Sequence, residues 1–195
     1  MLVLRNAGLI VAVKYLSWWS EAVRAAHPEA LLAHLVVGTS APDFSLAALD
    51  GKKYSLAAFL QRGPVVLGFF KISCPVCQFT FPFLQRIAER FAGKGASVVG
   101  VSQDDVRDTK DFNREYGIKF ETLIDSKGYP VSNAYGLTNV PTVMLIAPDG
   151  KVEVECMGFD KAALERITAA LAQREKISAA PLFRSDEVVP DYKPG

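Results

Sequence analysis

Apolar runs alternate with amphipathic segments over most of this chain. Four runs are mainly apolar and predict buried strands, at 65–70, 96–102, 123–124 and 143–147. The segments between and after them have apolar residues at helical spacing and predict helices, at 78–91, 105–116, 130–135 and after Asp160. Strands that alternate with helices favour βαβ units and a mostly parallel central sheet.

Two turns predict antiparallel pairing in addition. Asp50-Gly51 indicates a hairpin, and Tyr54 and Leu56 continue the alternation of apolar residues after it. A second turn at 148–150 makes 151–157 the antiparallel partner of the strand at 143–147. We therefore expect an α/β fold with a central mixed β-sheet flanked by helices.

The two ends of the chain differ from this central pattern. Residues 1–36 predict an N-terminal helical extension, and residues 37–178 form the predicted α/β domain. The C-terminal tail, 179–195, is rich in proline but carries Leu182, Phe183, Val188, Val189 and Tyr192. That is too apolar for a purely solvated tail, so we expect it to pack on the domain or on a neighbouring chain.

Composition and charge narrow the partners and the location. The chain has 195 residues, half of them apolar, and a net charge of +1, which argues against nucleic acid as a partner. The apolar run near the N-terminus is interrupted by Lys14, and a membrane-spanning helix needs about 20 apolar residues, so we expect no stable span. A cytoplasmic location is favoured, with a periplasmic or membrane-associated one as the alternative.

The chemistry of the chain centres on Cys74-Pro75-Val76-Cys77, which follows a predicted strand and opens a predicted helix. A helix N-terminus offers free N–H groups and a partial positive charge, which stabilise a thiolate. Cys74 at the N-cap is therefore the predicted nucleophile, and Pro75 suits the first helical position. Cys77, one turn later, is the predicted resolving thiol, and Val76 shields the pair. This arrangement indicates a thiol–disulfide redox protein that needs no cofactor.

Two neighbouring sequences extend this predicted site. Lys71 lies three residues before Cys74, where a cation would favour the thiolate, although a solvated lysine at a strand end is an equal interpretation. Val140-Pro141 directly precedes a core strand and predicts a fixed turn, for which a cis bond is plausible. Pro82 falls inside the predicted helix and is expected to kink it.

The three cysteines could also serve in a disulfide scaffold, a metal site or a non-enzymatic module. Three cysteines are too few for a disulfide scaffold, and zinc would want a second ligand pair, whereas the two histidines, His27 and His34, lie far upstream. We therefore expect no metal. A redox-sensing or copper-handling module is a further alternative, because a CxxC pair can bind Cu(I). Cys156 is interpreted as a small buried hydrophobe, with a third redox thiol as the alternative.

Taken together, these motifs resemble the thioredoxin fold: CxxC after an apolar strand, Pro82 eight residues after Cys74, and Val140-Pro141-Thr142 before a later strand. Further segments are similar to the redoxin and TlpA-like branch, which is related to the AhpC/TSA peroxiredoxins, at 41–46, 49–52, 101–105, 135–142 and 149–151. The resemblance implies that Cys74 and Cys77 are the active-site cysteines. It also implies that Pro82 is the kink proline and that Pro141 is a cis-proline that helps to bind the substrate backbone.

The chain departs from thioredoxins at two positions. Ser73 stands where thioredoxins usually have tryptophan, and Gly68 stands where a buried acid is common. No proton acceptor for Cys77 is therefore evident from the sequence. The candidates, if folding brings one close, are Glu89, Glu121 and Asp125.

These observations predict a thiol–disulfide oxidoreductase whose partners are protein thiols or disulfides, or a thioredoxin-type reductant. The alternative is a peroxiredoxin-type thiol peroxidase, which would carry Pro-x-x-x-Thr/Ser-x-x-Cys. Counting back from Cys74 gives Lys71 and Leu67, and counting back from Cys77 gives Cys74 and Phe70, so neither cysteine has that pattern. The N-terminal helices and the C-terminal tail are the candidate surfaces for a homodimer.

Overall fold

The structure, a computed structural model, describes residues 35–178 and 180–195. The predicted N-terminal helical extension therefore lies outside the described residues, apart from residues 35 and 36. Within the described part of the chain, no helix is long and apolar enough to cross a bilayer.

The described elements alternate as the sequence predicts. The strands are β1 (Ser45–Ala48), β2 (Lys53–Ser55), β3 (Val65–Phe70), β4 (Ser97–Ser102), β5 (Glu121–Ile124), β6 (Thr142–Ile146), β7 (Val152–Met157), β8 (Phe159–Asp160) and β9 (Tyr192–Lys193). The helices are α1 (Leu56–Leu60), α2 (Pro75–Arg90), α3 (Val106–Glu115), α4 (Pro130–Ala134) and α5 (Lys161–Arg174).

The main sheet has the strand order β2-β1-β5-β4-β3-β6-β7 and is mixed. Only the pairs β3–β4 and β4–β5 are parallel, so the expectation of a mostly parallel sheet is wrong. β1 runs antiparallel to β5, and β6 runs antiparallel to β3. Thr142, the first residue of β6, pairs with Phe69 near the end of β3. The connection through α4 therefore returns the chain to the sheet at the edge where β5 ends, and β6 runs back antiparallel to β3.

The two faces of the sheet bury two separate apolar clusters. Along β3, Val66 and Phe70 pack with α2 and α5, whereas Val65, Leu67 and Phe69 pack on the opposite side. This is the alternation expected of a strand, with both faces covered. The cysteine pair belongs to the face that carries α2 and α5.

Helix α1 differs from the sequence expectation. The alternation of Tyr54 and Leu56 favoured a strand, but the chain becomes helical at Leu56. The hydroxyl of Ser55 caps this helix by accepting a hydrogen bond from the Ala58 N–H at 3.1 Å. Leu56 and Phe59, three residues apart, then face the core together.

The C-terminal tail packs on the domain, as one of the two sequence expectations proposed, but only part of its apolar side chains do so, because Val188 and Tyr192 are exposed. Leu182 and Phe183 are buried, and the ring of Phe183 lies 4.9 Å from that of Phe83 on α2. β9 pairs antiparallel with β8 and forms a small second sheet. The domain boundaries at 36/37 and 178/179 stay predictions.

Candidate active site

The cysteine pair lies where β3 ends and α2 begins. Cys74 is the N-cap of α2, with an extended backbone, and its Sγ accepts a hydrogen bond from the Cys77 N–H at 3.3 Å. Pro75 occupies the first turn, where a backbone N–H would have no partner within the helix. The predicted capping position is confirmed, and it directs free helix N–H groups towards the Cys74 sulfur.

The two sulfurs have different surroundings although they are three residues apart. Cys74 is half-buried, whereas Cys77 is fully buried. Burial raises the pKa of the Cys77 thiol well above its usual range, and the negative charge of Asp104 adds to that effect. Both cysteines are free thiols, so the structure shows the dithiol form.

The loop before Cys74 is held by two side chains that the sequence analysis missed. The Asp104 carboxylate accepts a hydrogen bond from the Ile72 N–H at 2.7 Å, and the Gln78 amide donates to the Ile72 carbonyl at 2.9 Å. The Cys74 N–H also donates to the Lys71 carbonyl at 3.1 Å. Asp104 follows β4, and β4 lies parallel beside β3, so the ends of the two strands meet at one edge. The signal that the sequence does contain is the position of Asp104 two residues after a predicted buried strand.

The Val140-Pro141 turn lies against the nucleophile. Its peptide bond is cis, and the Cys74 Sγ–H donates to the Val140 carbonyl at 3.3 Å. Pro141 is buried directly before β6. Val140 is half-buried and packs against the apolar cluster on the face of the sheet that carries α2 and α5, hereafter the α2 cluster. Folding therefore brings together the two motifs that lie 66 residues apart in the sequence.

The AhpC/TSA family model matches residues 37–155, which is more than half of the chain. This chain belongs to the AhpC/TSA family. It is 32% identical over 123 residues to the thiol-disulfide oxidoreductase ResA of Bacillus thuringiensis (strain Al Hakam), which covers 63% of this chain and 70% of the relative. This family member is a thiol–disulfide oxidoreductase with its CxxC pair at Cys74 and Cys77.

Two solved structures share the fold of this chain. A Chlorobium tepidum protein, provisionally named thiol:disulfide interchange protein DsbE, has a TM-score of 0.64 and 31% identity, and the match covers 70% of this chain and 98% of that one. The peroxidoxin BcpB of Mycobacterium tuberculosis has a TM-score of 0.60 and 25% identity, over 73% of this chain and 97% of that one. The thioredoxin-like fold predicted from the sequence is confirmed.

The other predicted site residues surround this centre of the AhpC/TSA chain. Lys71 is exposed at the end of β3, Pro75 is exposed on the first turn of α2, and Val76 is half-buried against the α2 cluster. Pro82 lies inside α2, as predicted. The electrostatic role of Lys71, the shielding by Val76 and the kink at Pro82 stay predictions.

Packing explains why glycine stands at position 68. Gly68 is buried in β3, and a Cβ placed there would lie 2.9 Å from a methyl group of Leu84 and 3.4 Å from the ring of Phe81. Two α2 side chains thus fill the space that a buried acid would need.

None of the three carboxylates considered as proton acceptors is directed at Cys77. Asp125 is buried and accepts hydrogen bonds from the backbone N–H groups of Val131 and Ser132. Glu89 accepts from a glutamine on its own helix, and burial beside the β1–β2 turn raises the pKa of Glu121. Asp104 is the carboxylate whose charge helps to raise the pKa of Cys77, after the larger effects of burial and of Cys74.

Cys156 lies on β7 and packs in the core. It is 2% exposed, burial raises its pKa to about 12, and its Sγ–H donates to the Gly158 carbonyl at 3.4 Å. These surroundings fit the interpretation of Cys156 as a small buried hydrophobe.

Proposed function

We propose that Cys74 attacks the substrate disulfide and that Cys77 resolves the mixed disulfide. The difference in burial between the two sulfurs supports these roles most strongly. Cys74 is half-buried at a helix N-terminus, and Cys77 is fully buried one turn behind it. An external disulfide reaches the first sulfur and not the second, which decides the order of the two steps.

The two steps balance as an exchange of thiols and disulfides. The Cys74 thiolate attacks one sulfur of a substrate disulfide, an S–S bond forms between them, and the other substrate sulfur leaves as a thiolate that takes up a proton. Cys77 then loses its proton and attacks the Cys74 sulfur. The Cys74–Cys77 disulfide forms, the second substrate sulfur leaves, and two electrons have passed from the protein to the substrate.

The same pair runs in the opposite direction when the protein is oxidised and the substrate is a dithiol. For net reduction, a dithiol reductant of the thioredoxin type must restore Cys74 and Cys77, and it becomes a disulfide in turn. We include such a reductant in the proposal as a partner, besides the protein thiols that thiol–disulfide exchange implies.

Matched serine variants test the two roles. We expect Cys74→Ser to abolish exchange with a disulfide substrate, and Cys77→Ser to accumulate a mixed disulfide at Cys74 that mass spectrometry detects. Cys156→Ser is the control for the third thiol and should retain turnover. Turnover that persists in Cys74→Ser would refute the assignment.

A thiol peroxidase is the second candidate, favoured by the likeness to the peroxidoxin BcpB. Stopped-flow mixing of the reduced protein with hydrogen peroxide distinguishes the two. Fast, saturating formation of the Cys74–Cys77 disulfide would support a peroxidase. Oxidation at the rate of an ordinary reactive thiol would leave disulfide exchange as the chemistry.

The cytoplasmic location is part of the proposal, and fractionation of the source cells tests it, with recovery from the periplasm or the membrane as the opposing outcome.

A homodimer is a further element of the proposal, tested by sedimentation of the full chain. The tail already buries Leu182 and Phe183 in its own domain, so it offers less apolar surface to a second copy.

A further inference from the structure

The segment Tyr192–Gly195, hereafter the strap, runs along the edge of β8. Lys193 pairs with Phe159 and Tyr192 pairs with Asp160 in antiparallel register. The Lys161 N–H donates to the Asp191 carbonyl at 2.9 Å, which fixes the point where the strap begins. An extended peptide that adds to a strand edge uses the same main-chain pairing.

The strap ends over the turn that contacts the nucleophile. A Cβ placed on Gly195 would lie 2.7 Å from the Val140 carbonyl oxygen and 2.7 Å from the side-chain Nδ2 of Asn139. That carbonyl oxygen is the one to which the Cys74 Sγ–H donates at 3.3 Å. The Val140 carbonyl therefore lies between the reactive sulfur and the strap.

Two further contacts hold the strap in this place. Gly158 lies under the Lys193 carbonyl, so close that a Cβ at position 158 would collide with it. The Lys193 ammonium lies 5.1 Å from the centre of the Phe79 ring on α2, within cation–π range. The strap is thus bound on both sides, to the β7–β8 turn and to the helix that carries the cysteines.

The rest of the tail is anchored independently of the strap. Glu187 forms a bidentate ion pair with Arg86 on α2, at 2.7 and 2.5 Å, and Leu182 and Phe183 are buried. Loss of the strap alone should therefore leave the domain and most of the tail in place.

We propose that the strap determines substrate specificity by covering the Val140 carbonyl and the β8 edge against extended polypeptides. A small disulfide needs only the half-exposed Cys74 sulfur and reaches it with the strap in place. An unfolded protein chain needs backbone contacts beside Cys74 and must first displace the strap. This proposal rests on the proposed function, since it assumes that Cys74 is the attacking sulfur.

Removal of residues from 192 onward tests the proposal. We take the strap to be displaced about a tenth of the time, which weakens the binding of an extended polypeptide about tenfold. Removal of the strap should therefore raise kcat/KM for an unfolded disulfide-containing protein about tenfold. The rate with oxidised glutathione as the small disulfide should stay within about twofold, because that substrate does not compete with the strap.

Two point variants accompany the truncation. Lys193→Ala removes the contact with Phe79 but retains strand pairing, so we expect an increase in the same direction that is smaller than that of the truncation. Val188→Ser is the matched control, because Val188 is fully exposed in the same tail. A thermal melt of each variant shows whether the domain is folded.

The outcomes separate the two proposals. An unchanged or lower rate with the unfolded protein, in a folded truncation variant that still reduces glutathione disulfide, would overturn the specificity role. Equal gains with both substrates would also overturn it. No disulfide exchange by the wild-type protein with either substrate would refute the proposed function instead.

Discussion

The surroundings of Cys74 and Cys77, the two sides of what is hereafter the redox turn, differ more than their three-residue separation suggests. On one side, Cys74 is half-exposed and faces backbone groups: the first N–H groups of α2, the Val140 carbonyl and, beyond it, the strap. On the other side, Cys77 lies among the packed side chains of the α2 cluster. One side is therefore a surface for exchange, and the other is part of the core.

This difference shows how a short motif orders two steps. Burial favours the neutral form of the Cys77 thiol, so Cys77 does not compete for external disulfides. It reacts once the Cys74 sulfur, one turn away, has become part of a mixed disulfide. The contrast between the two cysteines can be measured directly.

Alkylation kinetics should show the contrast at its largest. We expect iodoacetamide at neutral pH to label Cys74 at least about 100-fold faster than Cys77 or Cys156, because reactivity follows access and thiolate character. Peptide mass spectrometry of quenched samples measures the three rates. In urea all three should react alike, and a native Cys77 rate close to that of Cys74 would contradict the burial argument.

Alkaline pH should lower the free energy of unfolding of the reduced protein, because its buried thiols include Cys77. An unfolded cysteine ionises near about pH 8.5, whereas burial raises the pKa of Cys77 further and that of Cys156 to about 12. The folded state then binds more protons, so the stability of the reduced protein is retained below about pH 8.5 and lost as pH rises through the folded values. We expect a fall of up to about 1.4 kcal/mol per pH unit for each buried thiol.

Urea unfolding of the reduced protein between pH 8 and 10 measures this slope. Cys156→Ala removes one of the two buried thiols. It should therefore remove the contribution of that thiol from the dependence of the free energy of unfolding on pH. A slope that does not change in Cys156→Ala would show that this thiol ionises equally in both states.

The sequence predicted the parts of this site that follow from local patterns. The apolar run 65–70 and the residues that begin the helix placed Cys74 at the N-cap, and the Val140-Pro141 turn was recognised before the strand it precedes. These features depend on neighbouring residues, so the chain itself displays them.

What the sequence missed depends on distant contacts. Asp104 acts on the residues before Cys74 only because β4 lies beside β3. Asp125 already accepts hydrogen bonds from the Val131 and Ser132 N–H groups, and Glu121 begins β5, whereas the cysteine pair follows the opposite ends of these parallel strands. The antiparallel entry of β6 and the pairing of β9 with β8 are also long-range choices. No local period in the sequence encodes such neighbours.

Substitution of Asp104 should change both sides of the redox turn by a smaller amount. Asp104→Ala removes the acceptor of the Ile72 N–H, which should cost about 1–3 kcal/mol of stability and slow attack by Cys74. Asp104→Asn keeps an acceptor oxygen but removes the charge that helps to raise the pKa of Cys77. We therefore expect the asparagine variant to be near wild-type in stability and to resolve mixed disulfides about two- to threefold faster.

Single-turnover resolution measured against pH distinguishes these effects. A profile shifted to lower pH in Asp104→Asn supports the charge effect. Slower resolution at every pH would instead identify Asp104 as the group that accepts the Cys77 proton.

Acid should loosen the anchor of the C-terminal tail on α2, with the smallest expected effect. The hydrogen bonds from Arg86 lower the pKa of Glu187 to about 2, whereas an unfolded glutamate titrates near about 4.3. The stability from this pair is therefore present above about pH 4.3 and is lost as pH falls towards about 2. Thermal melts of wild type and Glu187→Gln should differ at pH 7 and converge near pH 2. Asp186→Asn, a neighbouring exposed carboxylate, is the control and should follow wild type throughout. Cys77 should stay protected from alkylation in Glu187→Gln at pH 7, because burial among apolar side chains and not this ion pair keeps the reagent out. Rapid labelling there would show that the tail anchor and the packing around Cys77 are coupled.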